Sequence, residues 1–371
     1  MTVPRYIGGP FEIPAQTFSR SPASTLQAHF GLEELDHAFT ASGRSALAAG
    51  LERLGLEDGE VVLPDYLCAD AVYPVLERRG LTPWPFPVAE GLRQDPGRVL
   101  EALASARRPR AVLLVAYFGL VDPEATARAV QAIRPDLPVI LDSVQDLAGL
   151  AHARARSDWA RWQAFSLHKF LPVPHGGLIV GQGAAGPGNN GWPAHAALAF
   201  SAGLLRGLFL DGAIHSPAAA AWETAYVSLN QAAEAELPVV PAPMPELTRL
   251  LLGHLDVAAA LEQRRVNYSF LRERLAGSAR LRPAVPDAPA AASPMAFPVL
   301  VQGVDRDDLR RALRAQGMFC PVHWPASDDA LSRAGPAARA LARESLSLPL
   351  DQRYTPADLD RLVAAAEDFR P

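Results

Sequence analysis

The sequence predicts an α/β protein: a large domain with a mostly parallel central sheet flanked by helices, followed by a smaller C-terminal α/β domain. Two observations carry this expectation. From Val61 onward, short apolar runs of strand length alternate with stretches of helical periodicity, the pattern of parallel strands joined by crossover helices. After a proline-dense run, Pro238 to Pro245, the alternation resumes on a smaller scale, and such a run makes a better connector than an element interior. The chain therefore divides into an N-terminal arm (1–25), a large domain (26–245) and a small domain (246–371).

The arm carries Gly8, Gly9, Pro10, Pro14 and Pro22 and little periodicity, so it is expected to be extended and to pack on the body or on a partner subunit. Ser42-Gly43-Arg44-Ser45 then opens a helix marked by Leu47, Leu51 and Leu54. Residues 61–63 read as a strand and 69–79 as a helix stopped by Gly80. Residues 82–87 are extended but interrupted by proline, which confines them to a sheet edge or outside it. Helices follow at 99–107 and 123–133, and strands at 111–118, 139–141, 162–165 and 178–180. The Gly- and Asn-rich stretch 183–191 shows no clear pattern. Residues 196–210 are apolar but contain Arg206, so they read as a buried or interface helix and fall short of a membrane span. Residues 247–275 repeat leucine or valine at helical spacing with many arginines, as a long exposed helix bridging the domains would. In the last third, 297–301 and 319–324 read as strands, Asp305 caps a helix with Leu309 and Leu313 inward, and Thr355-Pro356 opens a closing helix.

Composition bounds the function. With 371 residues, 49% hydrophobic and 20% charged, the chain fits a globular enzyme and not a disordered one. A net charge of -5, with arginine pairs such as Arg264-Arg265 and Arg310-Arg311 scattered as solvated helix faces, gives no nucleic-acid footprint. Two cysteines, Cys68 and Cys320, make a disulfide framework unsuited, and the start of the chain lacks the apolar stretch of a signal peptide. A cytoplasmic location is expected.

The chemistry centres on Ser166-Leu167-His168-Lys169, set between two apolar strands and ahead of Gly176-Gly177. A lysine in so apolar a setting loses hydration, which makes its neutral, nucleophilic amine accessible, as a Schiff-base lysine requires. The plainer alternative is a surface lysine on a loop. Ser42-Gly43-Arg44-Ser45 can be an ordinary N-cap turn, or an anion site built from free N–H groups, the helix dipole and a guanidinium. Asp65, Tyr66 and Cys68, Tyr117 and Phe118, and Asp142 with Gln145 each follow a predicted strand, and in parallel sheets ligands sit beyond such ends. Asp142 can be a helix cap, or the partner that keeps a cofactor's pyridine nitrogen protonated.

Taken together, these residues resemble the fold-type I pyridoxal-phosphate (PLP) enzymes, and within them the DegT/StrS group of sugar aminotransferases. The resemblance rests on Ser42-Gly43-Arg44-Ser45-Ala46-Leu47, Leu63-Pro64-Asp65-Tyr66-Leu67-Cys68, Asp142-Ser143-Val144-Gln145, Ser166-Leu167-His168-Lys169 with Gly176-Gly177, and Leu346-Ser347-Leu348-Pro349. It implies pyridoxal 5'-phosphate as cofactor, bound covalently by Lys169, with Asp142 on the pyridine nitrogen and Gln145 near the ring oxygen. Ser166 and the turn at Ser42, Gly43, Arg44 and Ser45 would hold the phosphate. It further implies an amino acid donor, a keto sugar acceptor that is nucleotide-linked in the group's manner, and a homodimer with shared active sites.

The chain also departs from the group. Arg44 stands where many members have threonine, and Cys68, a cofactor-binding candidate, where an aromatic residue usually stacks on the cofactor, so the stacking role stays open with Tyr66 and Tyr117 as candidates. Pro172-Val173-Pro174-His175 replaces the segment in which an acidic residue commonly precedes the glycine pair. The asparagine that reaches across the dimer is not recognisable, with Asn230 and Asn267 as substitutes. His323 and Trp324 fall where the group has a His-aromatic segment near its substrate. Two rival functions remain at this stage: other PLP chemistry on the same scaffold, such as a dehydratase, desulfurase or racemase, and a non-catalytic relative that binds a ligand.

Overall fold

The computed structural model describes residues 6–14, 17, 21–184, 188, 191–210, 219–324 and 334–370. Parts of the arm and of the Gly- and Asn-rich stretch 183–191 lie outside the described residues. In chain order the elements of the first half are β1 (Ile7–Gly8), α1 (Leu26–Phe30), β2 (His37–Thr40), α2 (Gly43–Arg53), β3 (Gly59–Pro64), α3 (Ala69–Glu77), β4 (Leu81–Phe86), α4 (Pro96–Ser105), β5 (Pro109–Val115), α5 (Glu124–Ile133), β6 (Val139–Ser143), α6 (Ala153–Arg156), β7 (Trp162–Ser166) and β8 (Gly177–Val180).

Seven of these strands form one sheet in the order β2-β8-β7-β6-β5-β3-β4. The pairs from β4 across to β7 are parallel, and β7-β8 and β8-β2 are antiparallel. Its strands are apolar on both faces because helices cover both. Val61, Leu63, Leu113 and Val115 enter one core, while Val62, Val112 and Leu114 enter the other with Val99 of α4 and Val130 of α5. The proline-interrupted strand β4 is at the sheet edge, where Pro83 and Pro85 deprive no second neighbour of a donor.

The second half adds α7 (Ala194–Leu210), α8 (Ala219–Ala235), α9 (Glu246–Leu252), α10 (Val257–Arg274), β9 (Leu281–Pro283), β10 (Phe297–Val301), α11 (Arg306–Ala315), β11 (Met318–Phe319), α12 (Pro336–Glu344), β12 (Ser345–Leu348) and α13 (Pro356–Glu367). A three-stranded antiparallel sheet, β12-β10-β9, anchors this smaller unit. No helix among the described residues is long and apolar enough to cross a membrane.

Three expectations are corrected. The helix expected over 247–275 is two helices: the chain turns at Gly253, and Asp256 starts afresh by accepting a hydrogen bond from the Ala259 N–H at 3.0 Å. The strand expected over 319–324 reduces to β11, which pairs in parallel with β1 of the arm. The strand expected to reach Phe118 ends at Val115, and residues 117–119 form a 3₁₀ turn with Phe118 at φ 57°. The described arm packs on the body: Gly8 donates to the Tyr354 hydroxyl at 2.7 Å, and Arg206 of α7 donates to the Gly8 carbonyl at 2.6 Å.

Candidate active site

The chemically equipped residues gather where β3, β5, β6 and β7 end, the rim at which a parallel sheet leaves side chains and loops free. Asp142 lies near the C-terminal end of β6, next to β7, and its Oδ1 accepts a hydrogen bond from the Val144 N–H at 3.1 Å. Burial raises its carboxyl above the usual carboxylate range, and the charge of Lys169 pulls it back. Lys169 stands half-buried in the turn between β7 and β8. Its charge bears on three further groups. His168 and His323, each pushed down to about 3 by burial first, are lowered further by Lys169. The Cys68 thiol is raised by burial, against the pull of Lys169.

The turn carrying Lys169 is fastened from several sides. The Leu167 N–H donates to the Gly176 carbonyl at 2.9 Å, and the Gly176 N–H to the Ala41 carbonyl at 2.9 Å. Gln352 donates its amide to the Phe170 carbonyl at 2.7 Å. Arg264 is 1% exposed, which overturns its reading as half of a solvated arginine pair. Its guanidinium donates to the carbonyls of Met295 at 2.9 Å, Pro294 at 3.1 Å, Phe170 at 3.4 Å and Lys169 at 3.5 Å. Burial pulls it down to about 10.

Gln145 is 1% exposed and accepts a hydrogen bond on Oε1 from the Phe118 N–H at 3.0 Å, which helps hold Phe118 in its left-handed conformation. Its Nε2 is buried with no hydrogen-bond partner. At the start of α2, the Ser42 hydroxyl caps the helix by accepting from the Ser45 N–H at 3.1 Å, and the Ser45 hydroxyl donates to the Pro238 carbonyl at 3.3 Å. Both hydroxyls are thus engaged within the chain. What this end of α2 still offers is its first-turn N–H groups and Arg44, whose Nε is buried without a partner. Gly43 lets Ser166 come close: a Cβ on Gly43 would lie 2.7 Å from Val144 Cγ1 and 3.4 Å from Ser166 Cβ.

Tyr66, Tyr117 and Trp324 form an aromatic wall, with ring centroids 5.2 Å apart for Tyr66–Trp324 and 6.2 Å for Tyr66–Tyr117. Tyr117 is fully buried and its hydroxyl donates to the Tyr66 carbonyl; the Tyr66 phenol is pushed up to about 12 by burial. His323 Nδ1 is 2.8 Å from the Ser347 hydroxyl, and its ring meets Phe118 edge-on at 5.5 Å. Lys169, His168 and His323 border a cavity of about 490 Å³, whose far wall includes Phe11 of the arm and Arg310 and Arg314 of α11.

Two residues are not where the sequence suggested. Asp65 has both carboxylate oxygens occupied, by the N–H groups of Val88 at 2.9 Å and Gly335 at 2.6 Å, so it braces loops. Asn267 is fully buried and donates to the carbonyls of Leu350, Asp351 and Tyr354, which leaves it nothing to extend toward a partner. Asn230 lines the cavity of its own chain. Sequence reasoning missed the roles of Arg264, Gln352 and Glu234, because each meets the Lys169 turn only through folding.

No protein-family model matches the chain, and neither does any curated protein. Solved structures do. DesV of S. venezuelae, in complex with a ketimine intermediate, superposes with a TM-score of 0.61 at 20% identity, covering 99% of this chain and 92% of that one. DesI, in the presence of its TDP-sugar product, gives a TM-score of 0.65 at 18% identity, covering 99% and 93%. A DegT DnrJ EryC1 StrS aminotransferase from Brucella abortus gives 0.58 at 17% identity, covering 98% and 91%. At these identities the likeness establishes the fold, over essentially the whole chain.

Proposed function

We propose that this chain is a PLP-dependent aminotransferase of DegT/StrS type that moves an amino group from an amino acid donor to a keto sugar, in the cytoplasm and as a homodimer. The observation that carries the proposal is the partly buried Asp142 carboxyl, which feels the charge of Lys169 from beyond the adjacent strand, beside a Gln145 Nε2 that has no hydrogen-bond partner. A buried carboxylate and an unsatisfied buried amide are unfavourable unless a ligand meets them. A pyridine ring with a nitrogen at one end and an oxygen at its edge would meet both.

Pyridoxal phosphate supplies an aldehyde that an amine can hold covalently and a ring that takes up electrons from a neighbouring bond. The rest falls to the chain. Lys169 would hold the cofactor through Nζ and would serve at that atom as the general acid and base that takes up and returns a proton. Asp142, its Oδ1 already accepting from the Val144 N–H, would keep the ring nitrogen protonated. Gln145 Nε2 would donate to the ring oxygen, while the first-turn N–H groups of α2, Arg44 and Ser166 would bind the phosphate. Tyr66, Tyr117 and Trp324 exclude water on one side.

The fit to the acceptor is argued from the cavity. Its volume suits a sugar, and Arg310 and Arg314 place positive charge where a linked diphosphate would reach. DesI, of the same fold, was solved with a TDP-sugar product. The test is a half-reaction: amino acids, glutamate among them, are mixed with the PLP-loaded protein and conversion to its amine form is followed by absorbance. Conversion by at least one donor supports the reading; a loaded protein inert to all of them counts against it.

A further inference from the structure

His168 and His175 flank the turn that carries Lys169, and Glu234 reaches both from the last turn of α8. The Glu234 Oε1 is 4.0 Å from His168 Nε2 and 3.7 Å from His175 Nδ1, and one ligand atom from each of the three lies within 4.8 Å of the others. His175 is 3% exposed, yet neither of its ring nitrogens has a hydrogen-bond partner. Buried polar atoms are nearly always satisfied, so an imidazole left in this state points to a ligand. Behind it, His195 also has its Nε2 buried and unpartnered, with the two ring centroids 5.7 Å apart.

We propose that His168, His175 and Glu234 form a binding site for a divalent transition metal of the zinc or cobalt kind, its fourth position filled by water. Two imidazoles and a carboxylate are the donors such an ion prefers, and tetrahedral bonds of 2.0–2.1 Å set ligand atoms about 3.4 Å apart. Small side-chain rotations bring the present 3.7 and 4.0 Å to that spacing. The Glu234 side chain is 44% exposed, which gives an ion a way in from solvent.

The charges around the cluster are of both signs. Lys169 faces His168, and Arg44 faces His175, while Glu234 opposes them from α8 and Glu236 adds to the field at His195. An anion placed among the three side chains would meet the Glu234 carboxylate, so a cation fits better. Bound there, the ion ties the Lys169 turn to α8 and stiffens one wall of the cavity. Nothing in this proposal depends on PLP.

The test uses the full chain, treated with a chelator and then titrated with zinc by calorimetry and with cobalt by visible spectroscopy. One equivalent is expected, with the intense visible bands of four-coordinate cobalt and a rise in the unfolding temperature on adding zinc. His175→Ala and Glu234→Gln each should weaken binding at least about tenfold, since loss of even an outer partner of a metal ligand costs that much. His152→Ala, on an exposed turn, should bind like the parent. Glu234→Gln keeps size and shape at a half-exposed position, so it remains informative if His175→Ala fails to fold. The proposal is overturned if the parent chain takes up no stoichiometric metal, if both variants bind as it does, or if inorganic phosphate binds the cluster in a His175-dependent way.

Discussion

From the middle of α10, Arg264 donates hydrogen bonds to the main-chain carbonyls of Lys169 at 3.5 Å and Phe170 at 3.4 Å, so the turn bearing Lys169 is held by a residue from the second half of the chain. The same guanidinium lies 4.9 Å from the Phe170 ring centroid and donates to Gln352 at 3.0 Å. Its fork geometry is used in full, which lysine cannot reproduce. Arg264→Ala strands several buried carbonyls and should destabilise the protein by about 3 kcal/mol or more; Arg264→Lys should recover only part of that. Urea unfolding of the two variants measures both values, and an Arg264→Ala protein as stable as the parent would show that these bonds contribute nothing net.

Asp142 should trade stability for function. Burial raises its folded-state value above the ordinary 3.8, so stability falls as pH rises from that ordinary value through the raised one, and at neutral pH the ionised carboxylate is a net cost. Asp142→Asn should therefore match or exceed the parent in ligand-free unfolding temperature. Transamination should drop by about a hundredfold or more, the scale of a lost acid–base partner. A variant that transaminates as fast as the parent would remove Asp142 from the proposed site.

Asp351 behaves in the opposite sense. Burial alone would raise its carboxyl, but Arg353, bonded to it at 2.7 and 2.8 Å, and Arg264 together hold it below the ordinary 3.8. The stabilisation is fully present above the ordinary value and is lost as pH falls through the lowered one, so the pair resists acid until below pH 3.8. Asp351→Asn leaves Arg353 buried with only Glu12 as carboxylate partner and should cost roughly 3 kcal/mol at neutral pH. In a pH series of unfolding temperatures, the variant's deficit should shrink only at the acid end; a deficit constant to pH 2 would refute the pairing.

Gly177 marks the contact between β8 and the start of α2. A Cβ there would lie 2.3 Å from the main-chain carbon and oxygen of Ser42, atoms that cannot rotate away. Gly177→Ala should destabilise the protein by about 2 kcal/mol or more and weaken PLP retention together, because the displaced turn is the proposed phosphate cradle. Parallel measurement of unfolding and of PLP retained after gel filtration checks this; loss of neither would mean the two segments are looser than described.

The large sheet was legible because both faces of its strands are buried, so Val61 to Leu63 and Val139 to Leu141 stand out as apolar runs. The edge position of β4 followed from its prolines. What the sequence hid depends on distant partners. Arg264 looks like any helical arginine until α10 is set against the Lys169 turn, and Phe319 pairs with Gly8 of an arm that has no periodicity of its own. The break at Gly253 was masked because leucines on either side continue a helical spacing by coincidence. His175 and Glu234 meet only once α8 folds back over the glycine pair.

The central claim is that the Nζ of residue 169 holds pyridoxal phosphate. The full chain loaded with PLP, reduced with borohydride and digested, should yield one peptide carrying a pyridoxyl group on Lys169, and the Lys169→Ala protein should yield none. A pyridoxyl group on another lysine, or equal labelling of the Lys169→Ala protein, would contradict the account.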